Sequence, residues 1–146
     1  MFFADFNGQI IKGYNFNFVF ITKNINNIDL PKNVKLLSGS WNDYELDDEE
    51  IRSYYQSSFL VINPLLETYQ PSGQSVSLQS MAAGTGLLIT KTKGFWDIDS
   101  FKDGDSIFFI EKNEIDIWKK KINYLSENRD KLNFVIENAK NKVDYY

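Results

Sequence analysis

The feature that most constrains the fold is a pair of short apolar runs with a helix-sized segment between them. Phe59-Leu60-Val61-Ile62 and Gly86-Leu87-Leu88-Ile89-Thr90 carry almost no polar side chains. A run that is apolar on both faces reads as a strand buried on both sides, the habit of strands in helix-covered parallel sheets. Between the runs lies a loop, Asn63 to Gly73, containing Pro64, Pro71 and Gly73. Gln74 to Ala83 follows and reads as a helix, closed by Gly84, a residue suited to a helix end.

The same rhythm extends in both directions. Phe16-Asn17-Phe18-Val19-Phe20-Ile21 is rich in aromatic and β-branched residues and predicts a strand. Asn24 to Pro31 is polar and turn-like, and Val34-Lys35-Leu36-Leu37 predicts a second short strand closed by Ser38-Gly39-Ser40. Asp47-Asp48-Glu49-Glu50 opens a helix, because acidic residues favour the positive end of the helix dipole, and Ile51, Tyr54 and Tyr55 form its apolar face. After Lys93-Gly94, Phe95-Trp96-Asp97 reads as a short helix and Ser106-Ile107-Phe108-Phe109-Ile110 as the last strand. Ile115, Trp118, Ile122 and Leu125, then Leu132, Val135, Ile136, Ala139 and Val143, mark two closing helices at the 3.6-residue period. Trp118, Tyr54 and Tyr55 read as core. The fold class expected is α/β: a Rossmann-like parallel sheet with helices on both faces, in one domain over residues 1–146.

Composition narrows the chemistry. The chain has no Cys and no His, which removes thiol nucleophiles, Ser-His catalysis and nearly all zinc sites. With 16 Lys and Arg against 20 Asp and Glu, the net charge is −4, and no basic cluster offers a surface to nucleic acid or an anionic membrane. No apolar run approaches the roughly 20 residues that span a bilayer. The opening Met1-Phe2-Phe3-Ala4-Asp5-Phe6 lacks the basic start of a signal peptide, so a cytoplasmic location is the expectation.

In open parallel sheets, ligands bind beyond the carboxyl ends of the strands. The loop after Ile62 is the richest candidate, since Pro71-Ser72-Gly73 runs straight into a helix whose first N–H groups have no partner within it. Those amides and the dipole suit a phosphate or diphosphate. From the residues alone, a plain turn with a Ser cap remains the alternative. No Lys follows the glycine as a Walker loop requires.

The stretch Val61-Ile62-Asn63-Pro64-Leu65-Leu66-Glu67, then Gly73 through Gln79 to Ser80-Met81-Ala82-Ala83-Gly84-Thr85-Gly86-Leu87-Leu88-Ile89-Thr90, resembles the donor-site core of the GT-B retaining glycosyltransferases of the group 1 or family 4 type. The resemblance runs from about Asn33 to Tyr124 and implies a glycosyltransferase donor domain that binds a nucleoside-diphosphate sugar. It implies that backbone amides at Ser72, Gly73, Gln74 and Ser75 hold the diphosphate. It places Glu67 as the catalytic carboxylate facing the transferred sugar and Gln79 where the family has a Glu for the ribose. Tyr69 to Ser72 stand as an insertion between them. The base-binding segment falls near Ser38 to Trp41, with Trp41 either stacking on the base or packing under its loop. Lys91 and Lys93 either neutralise phosphate or are solvated.

The resemblance further implies no metal and no cofactor, with the nucleotide-sugar as substrate. The expected partners are that sugar nucleotide and a GT-B N-terminal domain, in cis or in trans, through which peripheral membrane association would come. No nucleic acid is expected. Met1 to Tyr14 holds Lys12-Gly13 but no buried strand before it and no Arg, so it is read as the tail of the domain's first helix. The chain is accordingly expected to lack the first strand and the acceptor domain, and to be inactive alone. The alternative is a non-catalytic Rossmann-like binding or interaction module. A flavodoxin-like or response-regulator-like domain would need an acidic cluster after its first strand, which is missing.

Overall fold

The computed structural model describes residues 16–22, 32–38 and 47–146. Its elements follow in the order β1 (Phe18–Thr22), β2 (Val34–Ser38), α1 (Asp48–Ser57), β3 (Leu60–Asn63), α2 (Gln74–Ala83), β4 (Gly86–Thr90), β5 (Phe108–Ile110), α3 (Ile115–Glu127) and α4 (Arg129–Val143). All strand pairing among the described residues is parallel. It falls into a two-stranded sheet, β1-β2, and a three-stranded sheet, β3-β4-β5, where a single sheet was expected. An apolar cavity of about 330 Å³ lies between β1 and β3, lined by residues including Val19, Ile21, Leu60 and Ile122.

The three central strands are buried along their whole length. Period-two alternation therefore feeds two cores at once. Leu60, Ile62, Leu88, Phe108 and Ile110 face α3 and α4, meeting Trp118, Ile122, Leu125, Leu132 and Val135. Val61, Leu87, Ile89 and Phe109 face the other way, meeting Tyr55 of α1 and Met81 of α2, with Ala139 of α4 reaching the same cluster. Trp118, Ile122, Leu88 and Ile89 are fully buried. Burying one such side chain is worth about 1.5–3 kcal/mol. The described ion pairs, Lys91–Glu111, Lys121–Asp103 and Lys140–Glu137, are solvent-exposed and contribute little beside that.

Local chemistry explains the helix boundaries. Asp47 caps α1 in a reciprocal box: its carboxylate accepts from Glu50 N–H at 2.8 Å, and the Glu50 side chain accepts from Asp47 N–H at 3.0 Å. At the other end of α2, Gly84 takes a left-handed φ of 74° and closes the helix through its N–H.

Two expectations need correction. Phe95-Trp96-Asp97 is a series of turns and not a helix, because Phe95 forms a parallel bridge with Ser72 and the segment is bound to a loop from elsewhere in the chain. Tyr54 is half-buried and outside the core, its hydroxyl accepting from Lys35 Nζ at 2.7 Å.

Candidate functional site

Strands β3, β4 and β5 end in register, with Asn63 beside Ile89 and Thr90 beside Ile110. The loops that leave them share that edge of the sheet and are tied to one another. Ser72 N–H donates to Gly94 O at 2.9 Å, and Trp96 N–H donates to Ser72 O at 3.3 Å. Lys93 N–H donates to Glu67 Oε1 at 3.0 Å. Gly94 allows this: a Cβ there would stand 2.3 Å from Gln70 O and 2.7 Å from Thr68 O. Only a residue without a side chain lets the two backbones meet so closely.

Helix α2 starts from this edge. Its N-cap is Gly73, held at φ 83°, and no side chain caps the end. A Cβ at Gly73 would press to 2.9 Å on Ile89 Cδ1, and the left-handed backbone angle is what demands glycine. Gly73 O accepts from Ser77 N–H at 3.0 Å and from Ser77 Oγ at 2.7 Å, which fixes where the helix begins. No acidic residue stands in the first turn. The helix therefore brings no like charge of its own to the positive end of its dipole.

The sequence-derived site residues sort by geometry. Ser72, half-buried, has already given its N–H to Gly94, so the uncapped amides are those of Gly73, Gln74, Ser75 and, one further on, Val76. Val76 was missed because its amide becomes relevant only once Gly73, rather than Ser72, is the N-cap. Glu67 is exposed, with Oε1 anchored by the Lys93 amide. Lys93 Nζ bonds the exposed Tyr69 hydroxyl at 3.2 Å, while Lys91 is paired with Glu111 at 3.3 Å. Gln79 lies apart from the loops, on the flank of α2 that faces α1. Its Oε1 accepts from the Tyr55 hydroxyl at 3.2 Å. It lines a groove of about 540 Å³ between the helices, together with Asp48, Arg52 and Gln56. Burial pushes the Tyr55 hydroxyl up to about 12, so it stays protonated as the donor. Trp41, Gly39, Ser40 and Lys12-Gly13 lie outside the described residues.

No protein-family profile matches the chain, and no curated protein does. Solved structures do match. A glycosyltransferase from Rickettsia africae superposes with a TM-score of 0.69 at 16% identity, covering 95% of this chain and 38% of that one. The C-terminal domain of the group 1 glycosyltransferase LpcC from Francisella tularensis gives 0.61 at 16% identity, over 80% of this chain and 54% of that one. Anabaena Alr3699/HepE, solved in complex with UDP-glucose, gives 0.61 at 19% identity, over 81% of this chain and 29% of that one. The chain thus spans about half or less of each of these proteins. The chain has the Rossmann-like α/β fold of the C-terminal domain of group 1, GT-B-type glycosyltransferases.

Proposed function

We propose that the chain is the donor-side domain of a glycosyltransferase and holds the diphosphate of a sugar nucleotide at the start of α2. The observation that carries this is the uncapped, acid-free helix end at Gly73 on the carboxyl edge of the sheet. Support comes from the fold shared with HepE, which binds UDP-glucose. The amides of Gly73, Gln74, Ser75 and Val76 would meet the diphosphate, with Lys93 the nearby cation. Glu67 would face the sugar, and Gln79 a sugar or ribose hydroxyl. In such a transfer the protein chiefly positions donor and acceptor and stabilises the departing diphosphate. The chemistry would be retaining, metal-independent and cytoplasmic, and would need a GT-B N-terminal domain in cis or in trans.

Calorimetric titration of the folded chain with UDP, GDP and ADP, and with UDP-glucose, tests the reading. Weak binding of one nucleotide is expected, unchanged by EDTA. Gln79→Ala should lower that affinity severalfold, and Gly73→Ala should abolish it by straining the helix start. Silence with every nucleotide would end the donor-site reading.

A second reading, binding without transfer, is favoured by one observation: an amide stands at position 79, where the resembling family has a carboxylate, and it is already engaged by Tyr55. Sugar transfer on mixing with an N-terminal GT-B domain would exclude it.

A further inference from the structure

Both backbone groups of one loop residue, Leu65, are held by side chains. Its N–H donates to Thr90 Oγ1 at 3.0 Å. The Thr90 hydroxyl in turn donates to Asn113 Oδ1 at 2.7 Å. Asn113 Nδ2 returns to Leu65 O at 2.7 Å and closes the ring. Trp118 Nε1 adds a second donor to Asn113 Oδ1 at 3.3 Å.

Every bond in this ring has one permitted direction. Thr90 has a single proton and spends it on Asn113, so toward Leu65 it can only accept. Asn113 Oδ1 receives two donors while Nδ2 faces a carbonyl. A carboxylate at 113 would turn an oxygen toward Leu65 O, and an aliphatic side chain would strand the Thr90 hydroxyl, the Trp118 N–H and the Leu65 carbonyl. Leu65 is buried, so water does not replace the missing partners. Position 113 therefore selects an amide.

The ring joins the end of β4, the turn between β5 and α3, and the first turns of α3. What it grips is the root of the loop that carries Glu67, two residues on, and that ends at Gly73. The far end of the same loop is held separately, by Ser72 on Gly94. We infer that Asn113 is a positioning residue that fixes the Glu67 loop for sugar binding, acting through Thr90 and the backbone of Leu65. This rests on the reading of Glu67 as the sugar-facing carboxylate.

The test uses the full chain with Asn113→Ala, Asn113→Asp, Thr90→Val and the conservative Thr90→Ser. Amide hydrogen exchange at Leu65 should quicken about tenfold in the first three, the loss expected of one buried hydrogen bond. It should stay near wild type in Thr90→Ser, with β4 and α4 amides unchanged throughout. The factor by which UDP-glucose binds more tightly than UDP should shrink in the same three variants and survive in Thr90→Ser. A residue of merely structural importance would weaken both ligands alike and quicken exchange across the domain. Wild-type exchange at Leu65 in Asn113→Ala would overturn the inference, as would Thr90→Ser behaving like Thr90→Val. If either Asn113 variant fails to fold, the Thr90 pair decides. If wild type binds neither ligand, the sugar-site reading falls and with it the sugar-binding role, while exchange at Leu65 still reports whether Asn113 holds the loop.

Discussion

Tyr55 links the core to a candidate ligand-binding side chain. Its ring packs with Val61, Met81 and Leu87, its carbonyl accepts from Thr85 Oγ1 at 2.6 Å, and its hydroxyl donates to Gln79. Because the phenol stays protonated to about 12, it remains a donor to Gln79 Oε1, and the group Gln79 has left for a ligand is its NH₂. A ligand there must offer an acceptor. The raised pKa also has a thermodynamic sign. The neutral phenol is favoured when folded, so the stabilisation is complete below pH 10 and is lost as pH rises toward 12. Denaturant unfolding should show a decline of roughly 2–3 kcal/mol over that window, and Tyr55→Phe should remove it. Sequence periodicity placed Tyr55 in the core. The bond to Gln79 was invisible because it joins residues on separate helices, 24 positions apart.

At the scale of elements, α1 and α2 begin in opposite ways. The Asp47–Glu50 box satisfies the first amides of α1 from within. Asp47→Ala should cost about 1 kcal/mol in unfolding free energy, read from the urea midpoint, and leave nucleotide affinity unchanged. Helix α2 leaves its first amides open, which costs stability and leaves them available to the proposed diphosphate. The start of α1 was legible from the acidic run and the bounds of α2 and β4 fell where expected, while the cap of α2 proved to be Gly73 and not Ser72. Phe95 to Asp97 was not legible. Its aromatic residues look helical locally, but Phe95 sits against Phe101 and Phe109 with centroids 5.7 and 5.1 Å away, and long-range packing overrides local preference. The Leu65–Thr90–Asn113 ring was hidden for the same reason: Asn113 and Leu65 are 48 residues apart.

For the molecule as a whole, the two faces of β3-β4-β5 carry separate cores, and Trp118 anchors one of them with no exposed surface. Trp118→Ala should cost about 3–5 kcal/mol, the range for emptying a large aromatic site, and should lower the melting temperature steeply in calorimetry. The parallel α/β character was readable because buried strands and amphipathic helices each announce themselves by period. The division into a pair and a triplet of strands was not, since strand neighbours are set by contacts across the sheet.

The meeting of Ser72 and Gly94 reaches beyond binding. Two connections that look independent in the chain behave as one, since each supplies the backbone partner of the other. Their registers are therefore coupled. A residue added between Gln70 and Ser72, or between Lys93 and Phe95, shifts Ser72 out of step with Gly94 and Phe95. Anyone transplanting this edge onto another scaffold must carry both connections together.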